Sequence, residues 1–521
     1  MSPDKNNEGE KMTTQRDEDL VIENDSQNEN FDFEKISDWQ IIIASNRGPV
    51  NHYKNQRGEI VQQKGSGGLI TGLSGIVQYV DATWISCAQS PEDTSFNEGD
   101  ISLVNDQTTM RVKFINPEPS AYDEYYNMIS NPLLWFLQHA MWNIPSEPVI
   151  DRVTWDAWEN GYLVVNQLFA GEITKLVKRS RKKTLVMIQD YQLYMTARYI
   201  RDQLPRKEMP SVLHFIHVPW PGPDYWSILP PTMRQKILDS LCAVDLLGFQ
   251  TKEDSLNFIR TIESHLPRAF VKYKHSRVWY RNHASHVRGF PISIDVDSLV
   301  ALLDDDDVNE HEQIVEEITN GMRLVLRVDR IDPSKNIIRG FRAFRELLVL
   351  YPEYKEKVVF LALLVPSRRG VDEYKDYLDQ IMATIGQINA EFGSSQWEPI
   401  RILVGEDYKR AIAALQLYDV LLVNAVADGM NLVAKEGPIV NKRNGVLVLS
   451  ERAGASQQLA QGAIIISPCD IYATAEAIHQ GLNMELEERQ KRAATLRQNI
   501  ENEDIYCWLT TQLQEVINLD L

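Results

Sequence analysis

Residues 420–436 read Val-Leu-Leu-Val-Asn-Ala-Val-Ala-Asp-Gly-Met-Asn-Leu-Val-Ala-Lys-Glu. The apolar run over 420–424 has the length and character of a buried parallel strand. It ends in a turn around Gly429 that exposes backbone amides, and a helix is predicted to begin there, with Glu436 about two turns in. Strand, glycine-containing turn and helix together make part of a βαβ unit. In such nucleotide folds a carboxylate at the position of Glu436 binds ribose hydroxyls, and Asp428 is placed to bind sugar hydroxyls.

The same pattern repeats on both sides of this stretch. Further strands are predicted over 324–328, 358–365, 400–404, 446–449 and 463–467, each followed by a helical or turn-like segment. That is one doubly wound domain. Upstream, runs over 40–45, 185–188, 212–218 and 245–249 alternate with helix-like segments over 155–178 and 231–242, which predicts a second α/β domain. Gly289-Phe290-Pro291-Ile292 reads as the hinge between them, because Gly and Pro break regular structure. Asp304 to Asp307 is an acidic run read as a solvated loop or helix start. Two doubly wound domains facing a cleft place their chemistry in the loops beyond the strand carboxyl ends.

The 521 residues suffice for two large α/β domains, and 43% hydrophobic with 24% charged residues is ordinary globular usage. A net charge of −19 argues against nucleic-acid or anionic-membrane binding. Locally clustered Arg and Lys still bind phosphate on an acidic background. Cys87, Cys242, Cys469 and Cys507 lie far apart with no CxxC pair. Buried reduced thiols in a cytoplasmic protein are therefore expected, rather than a disulfide scaffold or zinc ribbon. No apolar run approaches the roughly 18 residues of a membrane span, and no secretory signal is visible. Residues 1–37 are polar and acidic and are expected to be a disordered tail.

Cationic loops recur at the predicted strand ends. Arg47 follows the first strand in Ser45-Asn46-Arg47-Gly48-Pro49, where a guanidinium points into the cleft and grips phosphate with two N–H groups. Arg330 and Lys335, five residues apart in one loop, are placed to neutralise a pyrophosphate leaving group. Arg368 and Arg369 repeat the theme. Gly65-Ser66-Gly67-Gly68-Leu69 opens a predicted helix and reads equally as a phosphate cradle or a tight turn, being neither a dinucleotide fingerprint nor a P-loop. His214 and His217, three apart on a strand, are expected to face opposite sides, which excludes a shared metal. His217 is nearer the Pro-rich turn and is the better candidate to bond a polar ligand.

These pieces, taken in order, resemble the retaining glycosyltransferases of the trehalose-6-phosphate synthase family. The matching residues are Ser45-Asn46-Arg47, Gly67-Gly68-Leu69, Tyr125-Tyr126-Asn127 with Trp135, Asp190-Tyr191, His217-Val218-Pro219, residues 247–251, Arg330 with Lys335, Pro366-Ser367-Arg368, and residues 428–436. The resemblance runs from about Trp39 to the C-terminus. It implies an α/β GT-B fold of two Rossmann-like domains. Residues 38–292 would be the acceptor-side domain, 293–504 the nucleotide-sugar domain, and 505–521 a helix packing back on the first.

The resemblance further implies transfer of glucose from UDP-glucose to glucose 6-phosphate. Arg330 and Lys335 would hold the donor diphosphate, with Gly67 and Gly68 near it and Glu436 on the ribose. Gly429, Met430, Asn431, Leu432 and Val433 would complete the donor side, and Asp428 and His217 would contact the transferred glucose. Arg47, Tyr126, Trp135 and Arg368 would surround the acceptor phosphate, with Asp190 on sugar hydroxyls. No cofactor and no metal is expected. The partners are small-molecule substrates, and a homo-oligomer is allowed. A fused phosphatase domain, found in some relatives, is not expected.

The chain departs from the family pattern in places. The usual His-Asp-Tyr-His reads Gln189-Asp190-Tyr191-Gln192, the usual Arg before the Asp-Gly-Met-Asn string is Ala427, and Pro333 and Asn336 alter the loop between Arg330 and Lys335. The usual Trp-Ser-Gly-like segment reads Ile85-Ser86-Cys87-Ala88. Several of these, with Trp220-Pro221 and residues 224–226, are similar to the validoxylamine-phosphate-synthase-like branch. They bear on the acceptor, where a cyclitol phosphate or glycerol 3-phosphate is the alternative. A sugar-phosphate sensor of weak activity is a third reading, and Arg330, Lys335, Asp428 and Glu436 together argue against it.

Overall fold

The computed structural model describes residues 31–55, 57–65, 73, 80–104, 108–368 and 370–519. Its second half holds a six-stranded sheet, all parallel. In spatial order the strands are Ile400–Val404, Val358–Val365, Arg323–Arg330, Val420–Val423, Val446–Ser450 and Ile464–Ile466. In chain order this is 3-2-1-4-5-6, so the winding reverses between Arg323–Arg330 and Val420–Val423. All six segments predicted from the apolar runs are strands. They read so plainly because helices cover both faces. Val358–Val365 is buried along almost its whole length, as a central parallel strand must be.

The first half repeats this design on a ten-stranded sheet. Its parallel centre runs His283–Gly289, Leu246–Phe249, Ser211–Ile216, Thr184–Gln189, Gln40–Ala44, Asp81–Cys87 and Thr108–Ile115, with antiparallel strands at both edges. The winding reverses here between Gln40–Ala44 and Thr184–Gln189. Ligands of such sheets bind beyond the strand ends at the point of reversal. The fold therefore names four loops in advance, those following Ala44, Gln189, Arg330 and Val423.

The predicted tail boundary at residue 37 falls too late. Phe31 and Ile36 are buried, and Phe31 packs edge-on against Phe33 at 4.9 Å between centroids. The two apolar side chains were hidden in sequence by the acidic residues around them. The run over 304–307 starts a helix: Asp305 caps Asp306–Thr319, and Lys409 pairs with both Asp305 (2.9 Å) and Asp307 (2.5 Å).

The chain leaves the first sheet at Gly289, and residues 290–295 lead irregularly to the helix Val296–Ala301. It returns with the helix Ile505–Asn518, whose Trp508 packs edge-on against Phe215 at 5.2 Å and whose Glu515 pairs with Arg288 at 2.8 Å. The Ile505 N–H donates to the Ile294 carbonyl at 3.0 Å, so the two crossings are pinned side by side.

Candidate active site

The loop after Arg330 is built by a buried arginine. Arg327 is fully buried within its strand. Its guanidinium pairs with Asp329 at 2.7 Å, donates to the carbonyls of Lys335 (2.8 Å) and Ile337 (3.3 Å), and bonds the Asn424 amide oxygen. Asn336, at φ +59°, donates to the carbonyls of Asn424 (2.9 Å) and Pro468 (2.7 Å). The loops after the two central strands are thus tied into one unit. Their ends carry Lys335 and Asp428, whose ammonium and carboxylate pair directly. Burial raises the Asp428 carboxyl, but the Lys335 charge and hydrogen bond outweigh it and hold the group below its ordinary value. Asn431 donates to the same carboxylate at 3.0 Å, and its own amide oxygen accepts from the Ala434 N–H at 3.1 Å.

Beside this loop stands an aromatic and cationic wall. The Arg368 guanidinium lies 3.8 Å from the centroid of the Trp135 ring, and that of Arg330 lies 5.6 Å from it. Arg368 pairs with Asp332 at 2.6 Å, and Asp332 also accepts from Trp135 (3.4 Å) and Tyr374 (3.1 Å). Burial would raise Asp332, but Arg368 and Arg330 hold it well below the usual carboxylate range. Trp135 belongs to the first domain and the other members to the second, so this cluster joins the two. Arg330 itself is exposed and makes no ion pair with a described residue.

On the first sheet, Asp190 follows the strand Thr184–Gln189 with φ +71°. Its carboxylate accepts the His217 N–H at 3.2 Å, and its carbonyl accepts from the His214 ring at 2.9 Å. Burial raises this carboxyl to about 7, against the lowering effect of the His217 N–H bond. The His217 ring lies 3.0 Å (Nε2) from the Gln189 amide oxygen and 3.4 Å (Nδ1) from the Gln250 amide nitrogen. Burial, then His214, lowers its pKa to about 3, so the imidazole is neutral at pH 7. The two histidines share no face as ligands, yet both reach Asp190, because strand pairing ends at Ile216 and the backbone turns there.

The domains touch at Gly429. A Cβ there would lie 1.9 Å from the His217 carbonyl oxygen, and one at Gly454 would lie equally close to the Gly429 carbonyl. Only glycine admits these approaches. Met430 is buried, with its carbonyl accepting from Ala455 at 2.9 Å, and Leu432 and Val433 are partly buried at the start of the helix Val433–Val440. Glu436 lies in the first turn of that helix rather than two turns in, because the helix begins only at Val433. It accepts from the Tyr408 hydroxyl at 3.1 Å, and burial raises its pKa to about 7. A cavity of about 700 Å³ opens beside Asp428, between Pro219, Tyr225, Ala427 and Arg452.

Tyr126 stacks on Tyr122 at 5.7 Å, and its neighbour Asn127 faces Gly370, beside Arg368. Arg47 is exposed at the end of Gln40–Ala44 and makes no ion pair among the described residues. Gly67, Gly68 and Arg369 lie outside the described residues. Sequence reasoning gave no role to Arg327, Asp332, Tyr374 or Gln250, although Gln250 lies in the matching stretch 247–251 and Asp332 in the loop between Arg330 and Lys335. The one available signal was Arg327 itself, a charge in the middle of the strand Arg323–Arg330, flanked by Leu326 and Val328.

The profile of Glycosyltransferase family 20 matches residues 39–518. The chain belongs to this family. It is 31% identical over 460 residues to an alpha,alpha-trehalose-phosphate synthase [UDP-forming] of Candida albicans, covering 87% of this chain and 91% of that one. It is 30% identical to a probable alpha,alpha-trehalose-phosphate synthase [UDP-forming] 2 of Arabidopsis thaliana, covering 87% of this chain but only 54% of the plant protein. The solved structure "Trehalose-6-phosphate from E. coli bound with UDP-2-fluoro glucose" superposes with a TM-score of 0.79 at 28% identity, covering 92% of this chain and 98% of that one. The fold is GT-B, and the family makes the protein a glycosyltransferase. Among the described residues no helix is long and apolar enough to cross a membrane.

Proposed function

We propose that this chain transfers glucose from UDP-glucose to glucose 6-phosphate, with retention, forming trehalose 6-phosphate and UDP. The observation that carries the reading is the placement of Arg330, Lys335 and Asp428 at the winding reversal of the second sheet, opposite Asp190 at that of the first, with His217 bonded to Asp190 from the end of the next strand. The names of the relatives and the UDP-sugar in the bacterial structure support the same donor and product.

In this mechanism Lys335 exchanges Asp428 for the donor diphosphate, and Arg330 adds a second cation where charge develops on the leaving group. Asp428, released, accepts from glucose hydroxyls. The departing diphosphate takes the acceptor proton on the face it leaves, which explains retention without a protein nucleophile. His217 stays neutral and bonds the sugar rather than moving a proton. Arg368, spread on Trp135, and Arg47 bind the acceptor phosphate. Two fixed cations on the diphosphate supply the charge that a metal would otherwise supply, so the reaction is read as metal-independent and without a cofactor. A cytoplasmic site of action fits the four thiols, none of which is in a disulfide.

The departures at Gln189 and Gln192 favour a second acceptor, a cyclitol phosphate or glycerol 3-phosphate. Gln189 bonds His217 directly, beside Asp190, where the acceptor hydroxyls would lie. The test is UDP release from UDP-glucose by the purified protein in chelator, with and without glucose 6-phosphate. Acceptor-dependent release with a phosphorylated disaccharide product is expected. Release only with another phosphorylated acceptor would replace glucose 6-phosphate.

A further inference from the structure

One chain of hydrogen bonds runs from the first domain through the hinge into the second. It begins at the Gln189 amide oxygen, 3.0 Å from His217 Nε2. His217 Nδ1 lies 3.4 Å from the Gln250 amide nitrogen. The Gln250 amide oxygen accepts the Ile292 N–H at 2.9 Å, and the Ile292 carbonyl accepts from Lys435 Nζ at 2.8 Å. Lys435 sits one residue before Glu436 on the helix Val433–Val440.

The directions of these bonds are set by chemistry. The Gln250 amide oxygen is taken by Ile292, so its NH₂ group is what faces His217. An NH₂ group donates only, so Nδ1 is the bare nitrogen and Nε2 carries the proton. That proton points at the amide oxygen of Gln189, the residue before Asp190. The tautomer of His217 is therefore set from the hinge side.

Lys435 is 1% exposed and Gln250 2% exposed. Burial lowers the Lys435 pKa to about 7, and a buried amine donor, charged or not, is costly unless something specific holds it. Here it holds one carbonyl of the interdomain connection and fills no other described hydrogen bond. The connection is gripped at alternate residues: the Phe290 N–H bonds the Phe249 carbonyl at 2.7 Å, Ile292 bonds Gln250 and Lys435, and Ile294 accepts from Ile505. Only the grip at Ile292 reaches a side chain of the site.

We infer that Lys435 and Gln250 are positioning residues that couple the hinge at Ile292 to the tautomer and aim of His217. The helix bearing Glu436 and the imidazole facing the cleft are then registered through a single residue of the connection. Rotation of one domain against the other moves Ile292, and with it Gln250 and the Nε2 proton. The role this gives His217 in turnover rests on the function proposed above, whereas the coupling itself does not.

The experiment uses full-length protein labelled with ¹⁵N in its histidine rings, the His217 signals being assigned by their loss in His217→Gln. The wild type is expected to show His217 neutral with Nε2 protonated. Lys435→Met, which keeps length and removes the donor, is expected to shift those resonances. It should lower kcat about ten- to hundredfold, the scale of a misplaced catalytic contact, while the Kd for UDP stays close to wild type. Gln250→Leu probes the same chain from the other side and is expected to mix the tautomers, so a Lys435→Met protein that does not fold leaves the test in place. Unchanged His217 resonances in Lys435→Met, or in Gln250→Leu if only that variant folds, would overturn the coupling. A wild type that turns over neither acceptor, while Lys435→Met or Gln250→Leu still shifts the His217 resonances, would overturn the proposed function alone.

Discussion

Gly429 and His217 meet backbone to backbone across the cleft, so closely that a methyl group at 429 would come within 1.9 Å of the His217 carbonyl oxygen. One end of this contact neighbours Asp428, and the other carries the imidazole. Neither backbone has a flexible tip that could yield. Gly429→Ala is therefore expected to hold the two domains apart. Overpacking costs about 1–3 kcal/mol, and that cost would fall on the closed arrangement, giving roughly a ten- to hundredfold loss of turnover. Each domain should keep its own thermal midpoint. Steady-state kinetics with differential scanning calorimetry would check this, and a variant with full turnover would mean that the domains react in a more open arrangement.

Arg330 is exposed and makes no ion pair with a described carboxylate, but it lies over Trp135 and helps hold Asp332 low, so its removal should weaken the fold only modestly. Loss of one donor aimed at developing charge costs about 2.7–4 kcal/mol, or 10²–10³ in kcat. Arg330→Ala should show that loss with only a small fall in the unfolding midpoint, far short of the loss in turnover. Near-normal turnover would remove Arg330 from the leaving-group site.

Arg327 makes the opposite case, since it is fully buried and reaches no cleft. Arg327→Met leaves Asp329, already raised by burial and lowered mainly by Arg327, without its partner. Breaking a buried pair from one side costs about 3–5 kcal/mol. Urea unfolding should show that loss. The double variant Arg327→Met with Asp329→Asn should recover part of it, because no charge is then stranded.

Asp190 provides a pH signature. Its carboxyl is raised to about 7 in the folded protein from an ordinary 3.8. Between those values the folded state binds more proton than the unfolded chain, so this group makes stability fall as pH rises, with no further change above about 7. Asp190→Asn removes the effect and tolerates the positive φ. The variant should gain stability relative to wild type across that window and keep the gain at pH 8, while losing turnover. Parallel urea-midpoint profiles for the two proteins would contradict the burial argument.

The second domain was legible almost strand for strand, because strands covered on both faces must be apolar throughout. The string from Asp428 to Glu436 was legible for a different reason: its glycine and its polar side chains are demanded by close backbone approaches. The strand His283–Gly289 was not, since its His, Ser and Arg side chains suit a position near the edge of the sheet. Gln250 and Lys435 lie in quoted stretches yet received no role, and Arg327 received none, because apart from the nearby Asp329 their partners are backbone carbonyls, amides and an imidazole from 8 to 143 positions away. Periodicity shows which face is buried; it does not show what a buried polar group will find there.

The return of the chain through Ile505, bonded to Ile294 beside the outgoing strand, has a mechanical consequence. A single connecting strand is a swivel and permits any relative rotation. Two connections laid side by side and cross-linked behave as a strap. Opening the domains like the covers of a book bends the strap and leaves the Ile505–Ile294 bond whole, whereas torsion about the strap shears that bond. The Ile505–Ile294 bond therefore sets a cost on twisting one domain against the other that bending the two connections does not carry.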